Sequence, residues 1–322
     1  MATAARRNGS PASIPAHDCM VRFAATGLDS MTADGRGAND PSSGDVRIAM
    51  RGVEKHASGA SRSELDSVVV EEPLEIRLDD VPFVVTMRTP GDDFDLAYGL
   101  LYSEAVIDRV DDVASIAHCP TPEDVHSNVV RVVTAPGRSF NTSRARRSLA
   151  MTASCGICGK ETIDSVRVRV SPIVDGVRVS RQRIASLPAM LRSAQRVFAA
   201  TGGLHAVGLF RSDGAAEVTR EDVGRHNAAD KVIGAMLRRA AVTGDACSAD
   251  GRLELTGRVM MFSGRAGFEV VQKAAVARIP IVCSVSAPSS LAIDLAEEVG
   301  VTLVCFVRGD AMNVYTHTER VV

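Results

Sequence analysis

The chain has 322 residues, 45% of them hydrophobic and 24% charged, with a net charge of −2 and a pI of about 6.4. That length implies two domains and a core large enough to need neither disulfides nor a structural metal. The near-neutral charge argues against a nucleic-acid or anionic-membrane binder, and with no run of 18 apolar residues no membrane-spanning helix is expected.

In chain order, residues 1–65 are rich in Ala, Gly, Ser, Arg and Asp without a sustained apolar period, which predicts a disordered N-terminal tail. Arg6-Arg7 is not followed by an apolar stretch, so no secretion signal is expected. Leu74, Ile76 and Leu78, then Val81, Phe83 and Val85, alternate with polar residues around Asp79-Asp80, the pattern of a β-hairpin. Thr89-Pro90-Gly91 breaks the strand, and Asp92 or Asp93 is placed to cap a helix through Phe94, Ala97, Leu100 and Leu101. Further strand signals cover Asn128 to Thr134 and Ser165 to Val179, so residues 66–182 are expected to form an α+β domain.

The pattern changes from Ile184. Ile184 to Phe198 has helical spacing despite Pro188, and Leu204 to Phe210 with Ala215 to Thr219 make a hairpin about Ser212-Asp213-Gly214. A helix is expected over Asn227 to Leu237. Val259 to Phe262, Ile281 to Val285 and Val301 to Val307 then alternate with helices over Phe268 to Ala277 and Ser290 to Val299, the last ended by Gly300. This β-α-β-α-β order predicts a parallel sheet, making residues 183–322 a three-layer α/β domain with a hairpin at one side.

Charge is uneven along the chain. Residues 64–124 carry 16 acids against three arginines, whereas residues 138–196 carry 12 basic residues against three acids. Two solvated surfaces would account for this; so would a basic stretch facing an anionic ligand or partner. Within that stretch lies Cys155-Gly156-Ile157-Cys158. The seven cysteines (19, 119, 155, 158, 247, 283 and 305) are odd in number and mostly isolated, as in a reducing cytoplasm, where paired thiols are catalytic or metal-binding. A free thiol is only about 3% ionised at pH 7, and the neighbouring Arg138, Arg144, Arg146, Arg147 and Lys160 would favour the thiolate. From C-x-x-C alone, half a zinc site, a dithiol redox pair and a sulfur carrier on a glycine-flanked loop all remain open.

The predicted parallel strands end in Ser263-Gly264-Arg265, Ser284-Val285-Ser286 and Arg308-Gly309. Ligands of open α/β sheets bind beyond such carboxyl ends, and Ser, Gly and Arg leading into helix N-termini suit a phosphate, although short βα turns often have the same composition. No P-loop or dinucleotide fingerprint is present. Glu221-Asp222-Val223-Gly224-Arg225-His226-Asn227 packs more polar groups before a helix than one cap needs; a satisfied capping or core role is the plain reading for His226, and a structural one for His205.

Taken together, Glu71-Glu72-Pro73-Leu74, Thr89-Pro90-Gly91-Asp92, Ser154-Cys155-Gly156-Ile157-Cys158-Gly159, Gly202-Gly203-Leu204-His205, the 221–227 run, Ser263-Gly264-Arg265-Ala266-Gly267-Phe268-Glu269, Ser286-Ala287-Pro288 and Val314-Tyr315-Thr316-His317 resemble the formate dehydrogenase accessory sulfurtransferase family. The resemblance spans roughly residues 68 to 318. It implies a cytoplasmic sulfurtransferase that accepts a persulfide from a cysteine desulfurase and passes the sulfur to a molybdenum (or tungsten) bis-guanine-dinucleotide cofactor, held as substrate, on behalf of formate dehydrogenase. The family's persulfide cysteine falls on Cys155 and its second cysteine on Cys158. Its cofactor contacts fall on Phe306, Val307, Arg308, Gly309, Asp310 and Ala311, with Ser263, Gly264 and Arg265 adding a guanine or phosphate contact.

The resemblance further implies a cytidine-deaminase-like C-terminal domain and a homodimer, with no nucleic acid, membrane or resident metal. Zinc-deaminase chemistry itself is not expected, because the only H-x-E is His317-Thr318-Glu319 and Cys155 follows Ser rather than Pro. A cofactor chaperone without sulfur chemistry, or a zinc or redox module, are the competing functions. The basic residues from Arg138 to Lys160 are expected to dock an acidic desulfurase surface or steer the cofactor's phosphates.

Overall fold

The structure, a computed structural model, describes residues 44–57, 59–119, 127–140 and 170–322. Its elements form three sheets. Strands β1 (Ile48–Ala57) and β2 (Ala60–Val69) pair antiparallel as a two-stranded ribbon, from Ile48 opposite Val69 to Ala57 opposite Ala60. This corrects the expected tail for residues 48–65; residues 1–43 lie outside the described residues. The ribbon escapes a periodicity search because it buries little on either face and is tied by cross-strand ion pairs, Lys55 to Glu64 at 2.5 Å and to Asp66 at 3.3 Å.

The second sheet contains β3 (Glu72–Leu78), β4 (Val81–Arg88), β5 (Val113–His118) and β6 (Val129–Thr134), in the order β4-β3-β6-β5. Asp79 and Asp80 both have positive φ, which gives the β3–β4 hairpin the tight two-residue turn expected of it. Leu74, Ile76 and Leu78 are buried in strict alternation. Helix α1 (Asp93–Ser103) follows. Asp92 stands at its N-cap with φ 55° but makes no side-chain cap bond, and Asp93 pairs instead with Arg88 at 2.9 Å. The expected capping is therefore corrected: both carboxylates go to arginines, Asp92 to Arg220 at 3.4 Å.

Residues 170–178 have no regular structure, and Val179 makes a single bridge to Val321, so the expected strand over Ser165 to Val179 is corrected where it is described. Helix α2 (Arg181–Ala194) contains Pro188, and the helical register breaks at Gln195 before the short α3 (Arg196–Thr201). The third sheet comprises β7 (His205–Arg211), β8 (Ala216–Asp222), β9 (Arg258–Phe262), β10 (Ile281–Ser284), β11 (Thr302–Arg308) and β12 (Ala311–Val314). Its order is β12-β11-β10-β9-β7-β8, with β9, β10 and β11 parallel. Helices α4 (Arg225–Thr243), α5 (Phe268–Val276) and α6 (Ser290–Val299) intervene.

Both faces of this sheet are covered. Ile184, Leu187 and Leu191 of α2 pack on Ala206, Phe210, Met261, Cys283 and Val304, while α4, α5 and α6 pack on Val207, Leu209, Met260, Val282 and Leu303. The layers are thus α/β/α, as expected, with the β7–β8 hairpin at one side and an antiparallel β12, not foreseen, at the other.

The boundary expected between residues 182 and 183 falls inside the first turn of α2, and the segment before it is already tied to the third sheet: Ile173 N–H donates to Val299 O, and Val179 N–H to Arg320 O. One continuous core joins β3, β6 and α1 to α4, α5 and α6. Glycines let α1 and α4 meet backbone to backbone. A Cβ on Gly99 would lie 1.8 Å from Asp230 O, and one on Gly234 1.9 Å from Asp95 O. No helix among the described residues is long and apolar enough to cross a membrane.

Candidate functional site

The loops after β9, β10 and β11 are stitched into one surface. Ser284 Oγ donates to Gly264 O, Ala266 N–H to Ala287 O at 3.1 Å, and Ser289 N–H to Ala266 O at 3.0 Å. Phe306 N–H donates to Ser286 O at 3.1 Å, and Arg308 Nε to Val285 O at 3.2 Å. Sequence separates these loops by some twenty residues each; the parallel register brings them together. β7 runs antiparallel to β9, so its first residue, His205, arrives at the same end.

The predicted cofactor-contact residues, Val307 apart, lie at this edge. Ser263 is locked to β7, its N–H donating to Ala206 O and its Oγ accepting from Ala206 N–H at 2.8 Å. Gly264 packs close to the His205 ring: a Cβ would sit 3.1 Å from His205 Nδ1, so the ring would have to give by a few tenths of an ångström. Arg265 is exposed. Phe306 takes φ 55° at a bulge between Cys305 and Arg308, and the exposed Arg308 lies over its ring at 5.8 Å. Gly309 and Asp310 form the turn into β12, closed by Arg308 opposite Ala311. Val307 is different: it is buried with α2 on the far face of the sheet, away from the loops. Cys155 and Cys158 lie outside the described residues.

Three helices begin at this edge, α4 at Arg225, α5 at Phe268 and α6 at Ser290, the last capped by Ser289 Oγ accepting from Ala292 N–H. Their N-terminal amides carry partial positive charge, to which Arg225, Arg265 and Arg308 add full charges. His226 Nε2 and Arg225 Nε are buried with no hydrogen-bond partner among the described residues, and His226 Nε2 is 3.6 Å from Glu269. Burial drives the His226 pKa down to about 4; Lys273, Arg225 and His205 add to this, and Glu269 opposes it. His205 is also lowered, by burial and then by Arg225. Both imidazoles are therefore neutral at pH 7. The plain reading of His226 as a satisfied cap fails, because α4 has no side-chain cap and its imidazole Nε2 is unpartnered among the described residues. The crowded 221–227 run was the signal that could have found it.

The rest of that run fastens the edge to the second sheet. Asp222 accepts from Thr89 N–H at 3.2 Å and pairs with Lys231 at 2.8 Å, and Lys231 Nζ donates to Thr89 O at 2.9 Å. Asn227 Nδ2 donates to Met87 O at 2.7 Å. Beneath them Asp230 accepts from Ser103 and Lys273, tying α1, α4 and α5 together. Burial pushes the Asp230 carboxyl up. It pulls the Lys273 ammonium down, but the charges of Asp230, Glu104 and Glu269 and the Asp230 hydrogen bond together outweigh this and leave Lys273 above its ordinary value. The thiols of Cys283 and Cys305 are buried in the core, and burial pushes both up, Cys305 to about 12, so neither is a nucleophile at neutral pH.

The parallel strand ends of an α/β/α sheet, three helix N-termini and Arg225, Arg265 and Arg308 therefore share one edge, the class of arrangement at which open α/β proteins bind anions. The chain belongs to the FdhD/NarQ family, whose model matches residues 69–322. It is 49% identical over 269 residues to the sulfur carrier protein FdhD of Streptomyces coelicolor, covering 82% of this chain and 92% of that one. It is 47% identical to the protein of the same description from Mycolicibacterium paratuberculosis, covering 82% and 95%. Among solved structures, a candidate formate dehydrogenase accessory protein from Desulfotalea psychrophila has the same fold, with a TM-score of 0.64 at 24% identity, covering 85% of this chain and 99% of that one. The family match begins at Val69, the last residue of β2.

Proposed function

We propose that this protein is a sulfur carrier serving formate dehydrogenase, working through a persulfide on Cys155. The observation that carries the proposal is its 49% identity, over 82% of the chain, to a relative described as a sulfur carrier protein. In this reading a cysteine desulfurase presents a sulfane sulfur as R–S–S⁻. The Cys155 thiolate attacks the terminal sulfur, a Cys155 S–S bond forms, and the donor leaves as its thiolate. At delivery Cys158 attacks Cys155 Sγ; the Cys155–Cys158 disulfide forms and the terminal sulfur departs as sulfide, the electron pair coming from the Cys158 thiolate.

The acceptor is the molybdenum bis(molybdopterin guanine dinucleotide), a substrate of the carrier. Its anionic phosphates suit the arginines and helix N-termini of the strand-end edge, with Arg265, Arg308 and the 306–311 turn as contacts and Ser263 and Gly264 shaping the wall. Val307 supports the turn from behind. The α/β/α layering with an edge hairpin is what a cytidine-deaminase-like domain would have. A homodimer in the cytoplasm completes the proposal. Chain length permits the transfer: Cys155 lies fifteen residues from Phe140 and fifteen from Val170, the described anchors on either side, and fifteen extended residues span at most about 50 Å.

The test is mass spectrometry after incubation with a cysteine desulfurase and cysteine. The wild type gains about 32 Da, the mass of one sulfur atom, and Cys155→Ala does not. An adduct that persists in Cys155→Ala refutes the persulfide assignment. Formate dehydrogenase activity retained with Cys155→Ser makes the protein a cofactor chaperone instead, and one zinc per chain makes the cysteine pair a metal site.

A further inference from the structure

From Gly176 to Ser212 the chain contains no Asp or Glu but six arginines: 178, 181, 183, 192, 196 and 211. At the chain-wide frequency of 39 acids in 322 residues, about four would fall there, and exposed helices ordinarily mix both signs. Two of the six are spoken for locally, since Arg211 pairs with Asp213 and Arg183 donates to Asp213 O. Arg178, Arg181, Arg192 and Arg196 are exposed and make no ion pair among the described residues.

Their arrangement is regular. Arg181 and Arg192 are eleven residues apart, three turns of helix, so they share one flank of α2 about 16 Å apart. Arg192 is held flat over the Phe198 ring at 4.1 Å, and Met190 is 37% exposed nearby on the same helix. Arginine and methionine are the residues that protein interfaces favour over bare solvent. At one end the ridge begins at Arg178, eight residues after Val170, where the described chain resumes. At the other end α3 is anchored by Glu221, which accepts from Val197 and Phe198 N–H at 3.1 and 2.8 Å. Glu221 lies opposite Ala206 in β7, the residue bonded to Ser263.

We infer that this ridge docks an acidic surface of the protein that supplies the sulfur. The argument for that occupant is charge complementarity: the four exposed arginines carry no acid of their own, and the ridge ends at α3, which Glu221 ties to the strand-end edge. The inference rests on the sulfur-carrier reading and adds the surface that reading lacks. Steered association of this kind is strong at low ionic strength and screened by salt.

The test compares full-length wild type with Arg178→Glu/Arg181→Glu/Arg196→Glu and with the corresponding triple Gln variant. Arg192 is left in place because it packs on Phe198. The readout is the rate of sulfur loading from a cysteine desulfurase at sub-saturating donor, in 50 mM and 500 mM salt. The Glu variant loads about ten-fold more slowly at low salt, the Gln variant falls between, and all three converge at high salt. Loading by inorganic polysulfide, which needs no docking, is the same for all, showing that Cys155 and the fold are intact. Equal rates at low salt overturn the inference while leaving the carrier reading standing. So does a loss seen only with Arg144→Glu/Arg146→Glu/Arg147→Glu, or weakened binding to formate dehydrogenase alone. If the wild type takes no sulfur from the desulfurase, both fall.

Discussion

Replacing Lys231 by Met tests the joint between the two sheets. Lys231 is 1% exposed and Asp222 is fully buried, their charged atoms 2.8 Å apart. The substitution keeps most of the side-chain volume, so no large cavity opens; what is lost is the partner of a buried carboxylate and a donor to Thr89 O. Removing one member of a buried pair costs about 3–5 kcal/mol. The lower half of that range applies, because Asp222 keeps N–H donors from Thr89, Gly224 and Asn227. A loss of about 3–4 kcal/mol corresponds to a fall in Tm of roughly 5 °C for a chain of this size. The double variant Lys231→Met/Asp222→Asn removes the stranded charge and recovers part of the loss, giving a coupling energy above about 1.5 kcal/mol in the cycle. Urea melts at constant m-value with calorimetric Tm measure all four proteins. A Lys231→Met loss below 1 kcal/mol, or simple additivity in the cycle, refutes the claim that this pair holds the Thr89 loop to α4.

Two further outcomes follow from the same packing. Gly99→Ala should raise intrinsic helix propensity by about 1 kcal/mol, yet we expect a net loss of about 3 kcal/mol, because the new methyl would lie 1.8 Å from a backbone oxygen that can only retreat with its helix. Gly52→Ala, with nothing within 4 Å, is the control, and thermal melts compare the two. His226 predicts a pH effect of fixed sign. Its folded pKa, about 4, lies below its unfolded value, so the folded state resists protonation: stability is full above about pH 6.5 and declines as pH falls toward 4. Since a third of the side chain meets solvent, about 1–2 kcal/mol of that decline is attributed to His226. Urea melts at pH 7.5 and 5 should show a shallower decline in His226→Gln; identical slopes would mean the imidazole is not held neutral by burial.

The legible parts of this fold are those in which one face of an element is buried. Leu74, Ile76 and Leu78 alternate because only one face of β3 meets the core, and the β9 to β11 strands show as apolar runs because both their faces are covered. The β1–β2 ribbon gives no such signal, since its stability comes from pairing and cross-strand charges on surfaces that stay wet. β12 is four residues at a sheet edge, too short for a period to register. The site divides the same way. Strand-end loops are legible from strand order alone, so the Ser263 to Arg265 loop and the turn at Arg308 to Ala311 lie at one edge of the sheet, each bonded to the loop after β10. Val307 does not, because a bulge at Phe306 fixes which side chains turn outward, and a bulge leaves no compositional mark.

The polar runs that look excessive in sequence become intelligible only as a pair. Thr89-Pro90-Gly91 sits more than 130 residues before Asp222, and nothing local requires buried charges at Asp222 and Lys231. In the fold Asp222 takes the Thr89 N–H and Lys231 takes the Thr89 carbonyl, so a strand break in one sheet becomes the anchor for the first turn of α4. That turn carries Arg225 and His226, whose Nε and Nε2 have no hydrogen-bond partner among the described residues. A buried anchor there fixes the turn that carries those groups. The second sheet is thus bonded through Thr89 and Met87 directly to the edge where α4 begins.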